Sequence, residues 1–263
     1  MTNCRGSQSE ESLAPFRVGS VPYLNAVPLT RGLEDQILFA PPSELARLLQ
    51  RDELDAALVS ITEVLLHDRY DILDDVAVAS LGEVQSVFLA HRQPLRKMRE
   101  IYCDTASLAS FNLLKVLLAE NGLQPELRPF SDYASAHTLD NVLLIGDPAL
   151  HFLRAAPSHE IWDLGAAWFD LTGLPFVYAV WALRRIENHR LRRRLREAKD
   201  FGLKTLDHII SSRTDFDLPF RKDYLSRCIR FHLAAEERRG IARFIELLRR
   251  HGLGPAYGPR FVA

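Results

Sequence analysis

Residues 41–60, PPSELARLLQRDELDAALVS, join an amphipathic helix to a short apolar strand, and this pairing decides the class of fold. Ser43 is predicted to be the N-cap of the helix and Glu44 lies in its first turn, where a carboxylate faces the positive end of the helix dipole. The run from Ala56 to Ser60 is almost wholly apolar, which is typical of a strand buried in a sheet. Helix and buried strand in alternation indicate an α/β fold.

The same alternation continues on both sides of this stretch. The segment SLASFNLLKVLLAENG, residues 107–122, predicts a second helix with Gly122 at its C-terminal end. Near the C-terminus, residues 238–254 predict a helix with a buried apolar stripe that ends at Gly252. Strands are predicted at Phe16 to Ser20, Ala56 to Ser60, Ala77 to Leu81, Ser86 to His91, Ile101 to Cys103, Val142 to Gly146 and Phe176 to Leu183.

At 263 residues, the chain has room for two lobes. The segments HRQPLRKM (residues 91–98) and LPFVYAVWALRR (residues 174–185) are predicted to cross between them. A ligand would then bind between the lobes, at strand ends and helix N-termini. The predicted division is a disordered or extended N-terminus (1–15), a discontinuous first lobe with a helical tail (16–92 and 178–263) and a second lobe (93–177).

Charge and cysteine content limit the choice of partner and compartment. Lys and Arg number 33 against 34 Asp and Glu, so no overall field attracts nucleic acid or an anionic membrane, and a small-molecule partner is expected. Cys4, Cys103 and Cys228 are odd in number and far apart, which argues against a disulfide framework or a zinc site. The polar opening lacks the apolar region of a signal peptide. A soluble, cytoplasmic protein is therefore expected.

Familiar catalytic motifs are missing from the sequence. It contains no G-x-S-x-G, no G-x-x-x-x-G-K-[ST], no G-x-G-x-x-G after a strand and no H-E-x-x-H. Small polar residues stand instead at the ends of apolar runs, and together they would suit a site for carboxylates. These residues are Asn25, Ser86, Ser107, Ser110, Asp147 and Thr172.

Each of these residues also has a purely structural interpretation. Asn25 could belong to a turn before Pro28, and either Ser107 or Ser110 could cap a helix. Asp147 could be the N-cap of a helix that starts at Pro148, and Thr172 with Gly173 could form a simple turn.

The order of several segments adds a resemblance to a known family. VGSVPYLNAVPL, PPSELARLLQRDELDAALVS, GEVQSVFLAHRQPL, SLASFNLLKVLL, LLIGDPAL and WDLGAAWFDLTGLPFVYAVWALRR follow one another along the chain. In this order they resemble the chorismate dehydratases of the futalosine route to menaquinone. The similarity extends from about Phe16 to Arg185, with a weaker helical tail beyond.

The resemblance implies a two-lobed fold like that of the type II periplasmic binding proteins, with a ligand cleft between the lobes. It implies a carbon-oxygen lyase that removes water from chorismate to give 3-[(1-carboxyvinyl)oxy]benzoate. It implies no metal and no organic cofactor.

Roles for individual residues also follow from the resemblance. Asn25 and Ser86 would orient the substrate and hydrogen-bond near its reacting C3–C4 edge. The proton acceptor would be the substrate's own enolpyruvyl carboxylate or, in a rival assignment, Asp147. The chain departs from the family pattern at Ala109, where Thr is usual, and at Ile61, where Ser is usual. Predicted substrate-binding residues are Ser43, Ser107, Ala109, Ser110, Phe111, Gly146, Asp147, Thr172 and Gly173.

Three alternatives stay open. A sister enzyme, 1,4-dihydroxy-6-naphthoate synthase, carries a catalytic His just after the strand equivalent to LLIG, where this chain reads Gly146-Asp147. A non-catalytic cytoplasmic protein that binds a small carboxylate would have the same fold. An interaction protein could use the basic helix after Arg184, although acidic residues within that helix favour a solvated face.

Overall fold

The computed structural model describes residues 12–263, which form two β-sheets flanked by helices. The strands are Val18–Ser20 (β1), Ile37–Phe39 (β2), Ala56–Ser60 (β3), Tyr70–Ser80 (β4), Val87–His91 (β5), Glu100–Asp104 (β6), Glu126–Phe130 (β7), Asn141–Ile145 (β8), Glu160–Asp163 (β9), Phe176–Arg184 (β10) and Arg260–Val262 (β11). The helices are Val27–Thr30 (α1), Pro42–Gln50 (α2), Ile61–Leu66 (α3), Leu108–Glu120 (α4), Gly146–Arg154 (α5), Leu164–Thr172 (α6), His189–Lys204 (α7), Leu206–Ser212 (α8), Leu218–Asp223 (α9) and Ala235–Arg250 (α10).

The first sheet has six strands in the order β11-β4-β10-β3-β1-β2. β1 pairs in parallel with β2 and β3, whereas β10 runs antiparallel to both β3 and β4. β3 and β10 are the apolar runs that the sequence predicted as buried strands, and all five residues of β3 are buried. The centre of this sheet therefore follows from hydrophobicity alone.

The second sheet has five strands in the order β7-β6-β8-β5-β9. β5 pairs antiparallel with both β8 and β9, so Val87–His91 belongs to this sheet. The predicted crossing at residues 91–98 is therefore wrong: the chain leaves the first sheet after Ser80 and crosses at residues 81–86. It returns after β9, through α6, to β10.

Four strands were missing from the prediction: β2, β7, β9 and β11. Each lies at an edge of its sheet and has three to five residues. The sequence of β7, ELRPF, has charged residues and a proline, which are common on edge strands. Because an edge strand buries little side-chain area, it lacks the apolar run by which a central strand is recognised.

Helix ends agree with the sequence in some places and differ in others. Gly122 and Gly252, which follow α4 and α10, have φ of +67° and +65°, as expected for a residue just past a helix end. Ser43 is not an N-cap, because α2 begins at Pro42 after Pro41 and Ser43 lies exposed inside its first turn. A proline at the first helical position has no N–H to leave unpaired and a φ that suits a helix, so it favours this start.

The N-terminal prediction is only partly open to comparison, because residues 1–11 and with them Cys4 lie outside the described residues. Of residues 12–15, Leu13 is only 2% exposed and its N–H donates to Gln36 Oε1 at 2.6 Å, which leaves only the extended form of the prediction for this residue. A buried apolar side chain holds this short segment on the first sheet. No helix within residues 12–263 is long and apolar enough to cross a membrane.

Candidate active site

An open cleft lies between the two sheets, at the crossing segment, with about 620 Å³ of empty space when the solvent at its mouth is included. None of the described residues that line it has a charged side chain. Its polar groups are amides, hydroxyls and phenols on a mostly apolar surface, an arrangement typical of small-molecule sites. The lining residues are Val21, Tyr23, Asn25, Pro42, Leu58, Val59, Ser60, Val78, Val84, Ser86, Val87, Ser107, Ser110, Ile145, Gly146, Tyr178, Ala179 and Ile229.

Asn25 reaches the cavity from a single 3₁₀ turn, Leu24–Ala26, that follows β1. The turn leads directly into α1, where Pro28 occupies the second position. α7 packs closely against this segment: a Cβ on Gly202 would lie 1.9 Å from the carbonyl oxygen of Pro28. The position of Asn25 is therefore fixed by backbone packing, as well as by the stiffness of proline.

Ser86 lies at the end of the crossing segment and is only 1% exposed. Its carbonyl oxygen accepts the N–H of Gly146 at 2.7 Å, which ties it to the second sheet. Just before it, the Asp163 carboxylate accepts the N–H groups of Val84 and Gln85. Ser86 is therefore held by backbone hydrogen bonds on both sides.

A buried phenol connects Asn25 with Ser86. Asn25 Nδ2 donates to the Tyr224 hydroxyl oxygen at 3.3 Å, and the Tyr224 hydroxyl donates to Ser86 Oγ at 2.8 Å. We call Asn25, Tyr224 and Ser86 the first wall of the site. Sequence analysis missed Tyr224, because no motif marks this tyrosine in the helical tail.

The second wall consists of Ser107, Ser110 and Gly146. Ser107 is the N-cap of α4, and its Oγ accepts bonds from the N–H and the hydroxyl of Ser110 at 3.4 and 3.2 Å. The start of α4 thus presents two hydroxyls and free backbone N–H groups near the cavity, and the helix dipole favours an anion there.

Gly146 and Asp147 begin α5 beside Tyr23. Gly146 has φ of +61°, and a Cβ there would lie 3.4 Å from the Tyr23 ring, so a larger residue would be strained. The predicted N-cap role of Asp147 is wrong, because α5 begins at Gly146, two residues before the predicted start at Pro148. The Asp147 carboxylate instead accepts the N–H of Leu24 at 3.4 Å, and burial raises its pKa above the usual range.

Several predicted substrate-binding residues do not line the cavity. Ala109 and Phe111 are not among the lining residues, and Ser43 lines a separate groove along α2. The Thr172 hydroxyl donates to Trp168 O and accepts the N–H of Leu174, while Gly173 ends α6 with φ of +67°. Thr172 and Gly173 thus form the turn that the structural interpretation predicted.

Three further residues of the lining with polar side chains were missed by sequence analysis: Tyr23, Ser60 and Tyr178. Ser60 caps α3 by accepting the N–H of Thr62 at 3.3 Å, and Ser80 and Tyr178 share a hydrogen bond of 3.1 Å. Burial, with Asp104 and Asp147 nearby, raises the pKa of Tyr23 to about 12. Hydroxyl residues at strand ends were the signal that could have identified Ser60.

Groups for nucleophilic or metal chemistry are not gathered at this site. Cys103 and Cys228 are free and buried, and burial raises the pKa of each thiol to about 12. Both are therefore protonated near neutral pH. Across residues 12–263, no three His, Cys, Asp or Glu side chains come together in a way that could hold a metal ion.

Comparison with known proteins identifies relatives over nearly the whole chain. A family model described as menaquinone biosynthesis matches residues 16–250. The chorismate dehydratase of Thermus thermophilus is 35% identical over 275 residues, which covers 95% of this chain and 99% of that protein. The chorismate dehydratase of Campylobacter jejuni is 26% identical over 230 residues, or 85% of this chain and 89% of that protein.

Solved structures share the fold. A crystal structure of an Archaeoglobus fulgidus protein matches with a TM-score of 0.74 at 17% identity, covering 90% of this chain and 98% of that one. The periplasmic aliphatic sulphonate binding protein SsuA of Escherichia coli matches with a TM-score of 0.60 at 16% identity, covering 94% and 93%. The predicted α/β fold of the type II periplasmic binding proteins is thereby confirmed.

Proposed function

The chain belongs to the menaquinone biosynthesis family, and from this premise we propose that it is a chorismate dehydratase. The proposed reaction removes water from chorismate and forms 3-[(1-carboxyvinyl)oxy]benzoate, which makes the protein a hydro-lyase on the futalosine route. The observation that carries this proposal is the shared cavity, which brings Asn25, Ser86, Ser107 and Ser110 together around uncharged surface.

The reaction needs little help from strong acids or bases. The C3 proton of chorismate is conjugated, through the C1=C2 bond, to the ring carboxylate, so its removal gives an extended dienolate. Loss of hydroxide from C4 then completes an aromatic ring, and the proton and the hydroxide leave together as water. Because aromatisation supplies most of the driving force, the protein has to hold one conformation, stabilise growing negative charge and assist the leaving hydroxide.

The two walls of the cavity suit these three tasks. The start of α4, with Ser107 and Ser110, is a place for a substrate carboxylate, because free N–H groups and a positive dipole end favour an anion. Asn25 and Ser86 face the same space and would contact the C3–C4 edge. An amide and a hydroxyl can donate and accept without adding charge beside a dianion.

The proton acceptor in this proposal is the enolpyruvyl carboxylate of the substrate itself. The lining contains no His, Glu, Asp or Lys side chain among the described residues. Asp147, the rival base, is held by the N–H of Leu24 and is not part of the lining. We therefore expect Asp147→Asn to keep at least about a third of the wild-type kcat. A near-complete loss in a folded variant would favour Asp147 as the base.

Direct assay tests the function and separates the alternatives. Purified protein incubated with chorismate should form an aromatic product whose mass is lower than that of chorismate by one water, detected by absorbance and mass spectrometry. A non-catalytic binding protein would bind the ligand saturably without turnover. A heat-unfolded sample is the control for spontaneous breakdown. The absence of product from folded protein would refute the proposal.

The sister synthase is disfavoured by the start of α5. Its catalytic His would fall at Gly146-Asp147, where Gly146 has a left-handed backbone and a Cβ would meet the Tyr23 ring.

The basic helix α7 makes internal contacts: Arg192 and Arg196 donate to Ala263 O and Val262 O. These contacts argue against a role of α7 as an interaction surface. The proposal keeps the enzyme in the cytoplasm, as the sequence predicted.

A further inference from the structure

The buried hydroxyl of Tyr224 occupies an unusual place between two residues of the cavity. Tyr224 is only 1% exposed and lies on the helical tail, far in sequence from both Asn25 and Ser86. Its hydroxyl contacts both side chains, at 3.3 Å from Asn25 Nδ2 and 2.8 Å from Ser86 Oγ. A buried phenol needs a hydrogen-bond partner, but one partner would have been enough.

The contacts at the Tyr224 hydroxyl define one order of donors and acceptors, because Asn25 presents its amide nitrogen to the phenol and the phenol donates to Ser86 Oγ. An amide nitrogen donates and does not accept, so the phenol oxygen accepts from Asn25. The single phenol proton is then free to donate to Ser86 Oγ. The proton of the Ser86 hydroxyl must point elsewhere, and it donates to no acceptor within residues 12–263. Since Ser86 lines the cavity, that proton is available to a ligand.

The surroundings of Tyr224 hold its ring and its hydroxyl in place. Residues Tyr224–Cys228 form a single π-helical turn, in which the N–H of Ile229 bonds to Tyr224 O; such turns are frequent at functional sites. The ring stacks on Phe220 with centroids 5.6 Å apart and planes inclined by 11°.

Polar bonds tie this turn to the crossing segment that carries Ser86. Gln85 Nε2 donates to Asp223 Oδ2 at 3.4 Å, and Arg227 Nη2 lies 3.4 Å from Glu83 Oε2. Burial raises the pKa of the phenol above its usual value, with Asp147 nearby adding to the effect, so the hydroxyl keeps its proton near neutral pH.

We propose that Tyr224 is a positioning residue that orders the chain Asn25 to Tyr224 to Ser86, so that the Ser86 hydroxyl donates its hydrogen bond into the cavity. This inference rests on the proposed function, in which that donor assists the departing C4 hydroxyl of chorismate. An oxygen that accepts one hydrogen bond is a stronger donor of the next, so the ordered chain also strengthens the donor. Tyr224 itself does not touch the substrate.

Substitution of the phenol by Phe removes only the hydroxyl. Tyr224→Phe should lower kcat about tenfold while KM stays within about twofold, because the hydroxyl orients a donor that acts in the transition state. Tyr70→Phe is the matched control: Tyr70 is equally buried, and its hydroxyl has no hydrogen-bond partner within the described residues. Its kcat should stay at the wild-type value. An unchanged kcat in Tyr224→Phe would overturn the inference.

A double-mutant cycle separates positioning from a general structural effect. In a Ser86→Ala background, Tyr224→Phe should change kcat by less than about twofold, since the donor that it orders is already gone. An equal tenfold loss in both backgrounds would show that Tyr224 acts independently of Ser86, against the inference. Single-turnover measurements with excess enzyme keep the slow variants measurable.

A second variant tests the direction of the chain even if Tyr224→Phe fails to fold. Asn25→Asp keeps the shape of the side chain but can only accept, so the phenol would turn its proton toward residue 25 and Ser86 would donate back to the phenol. The kcat should fall at least about tenfold; a wild-type kcat would overturn the inference. If the wild-type protein does not convert chorismate, the proposed function itself is wrong. If the wild-type protein is active and the variants keep its kcat, only the inference about Tyr224 is wrong.

Discussion

On the first wall of the cavity, Asn25 and Ser86 are joined through a buried phenol, whereas on the second wall Ser107 and Ser110 bond only to each other at the start of α4. The first wall is therefore ordered by groups from three distant parts of the chain. On the second wall, the pair of Ser107 and Ser110 is a local helix cap, complete within four residues, to which the start of α5 adds Gly146. This difference indicates that the first wall directs hydrogen bonds at the reacting atoms of the substrate and that the second wall binds an anionic group.

The largest effect is expected from removing the amide of the first wall. Asn25→Ala should lower kcat about 100-fold, the usual scale for loss of one donor aimed at developing charge. The thermal midpoint should change little, because Asn25 is only partly buried. Asn121→Ala, whose amide caps α4 by donating to Leu117 O, is a control with unchanged kcat. An active Asn25→Ala enzyme would remove Asn25 from the mechanism.

Displacing the backbone behind the first wall should affect both stability and rate. Gly202→Ala places a Cβ within 1.9 Å of Pro28 O, so α7 and the turn that carries Asn25 must move apart. We expect a loss of about 1–3 kcal/mol in the free energy of unfolding, measured by denaturant titration, with a reduced kcat. Gly258→Ala, where a Cβ meets nothing within 4 Å, is the matched control. Equal stability of both variants would contradict the close packing.

A substitution in the second wall should weaken substrate binding and leave the rate of the chemical step unchanged. Ser107→Ala removes the oxygen that accepts both bonds from Ser110, and we expect KM to rise about tenfold with kcat within about twofold. Loss of the cap should also cost about 1 kcal/mol of stability. Ser107→Thr keeps the oxygen and should restore both values. A fall in kcat at constant KM would remove the distinction between the walls.

The smallest effect is expected in how the free energy of unfolding depends on pH, through Asp104, which precedes the second wall in sequence. Asp104 accepts bonds from Ala106 N and the Tyr133 hydroxyl, yet burial raises its pKa above the usual value. Folding then favours the protonated carboxyl, so its contribution to stability is present at low pH and declines as pH rises through the raised pKa. The free energy of unfolding of the wild type, relative to Asp104→Asn, should therefore fall as the pH rises above about 4, the ordinary pKa of an aspartate. A difference that increases with pH would contradict this sign.

The accuracy of the sequence predictions differs between the centre and the edges of each sheet. β3, β8 and β10 were predicted within one residue at either end, because central strands are continuous apolar runs. β4 begins seven residues before the prediction, since its first half includes three aspartates. The place where the chain changes sheets was predicted too late, because β5 is apolar and could have joined either sheet.

The sequence by itself determined the α/β class, the central strands and the family, since these depend on local hydrophobicity and the order of motifs, and it limited the cap of α4 to Ser107 or Ser110. It also singled out Asn25 and Ser86. Only the tertiary structure decided that Tyr224 joins them, that Thr172 and Gly173 stand outside the cavity, and that Val87–His91 belongs to the second sheet. The physical reason is distance along the chain: the phenol that orders the first wall is 199 residues from Asn25 and 138 from Ser86, and no local pattern encodes such a contact.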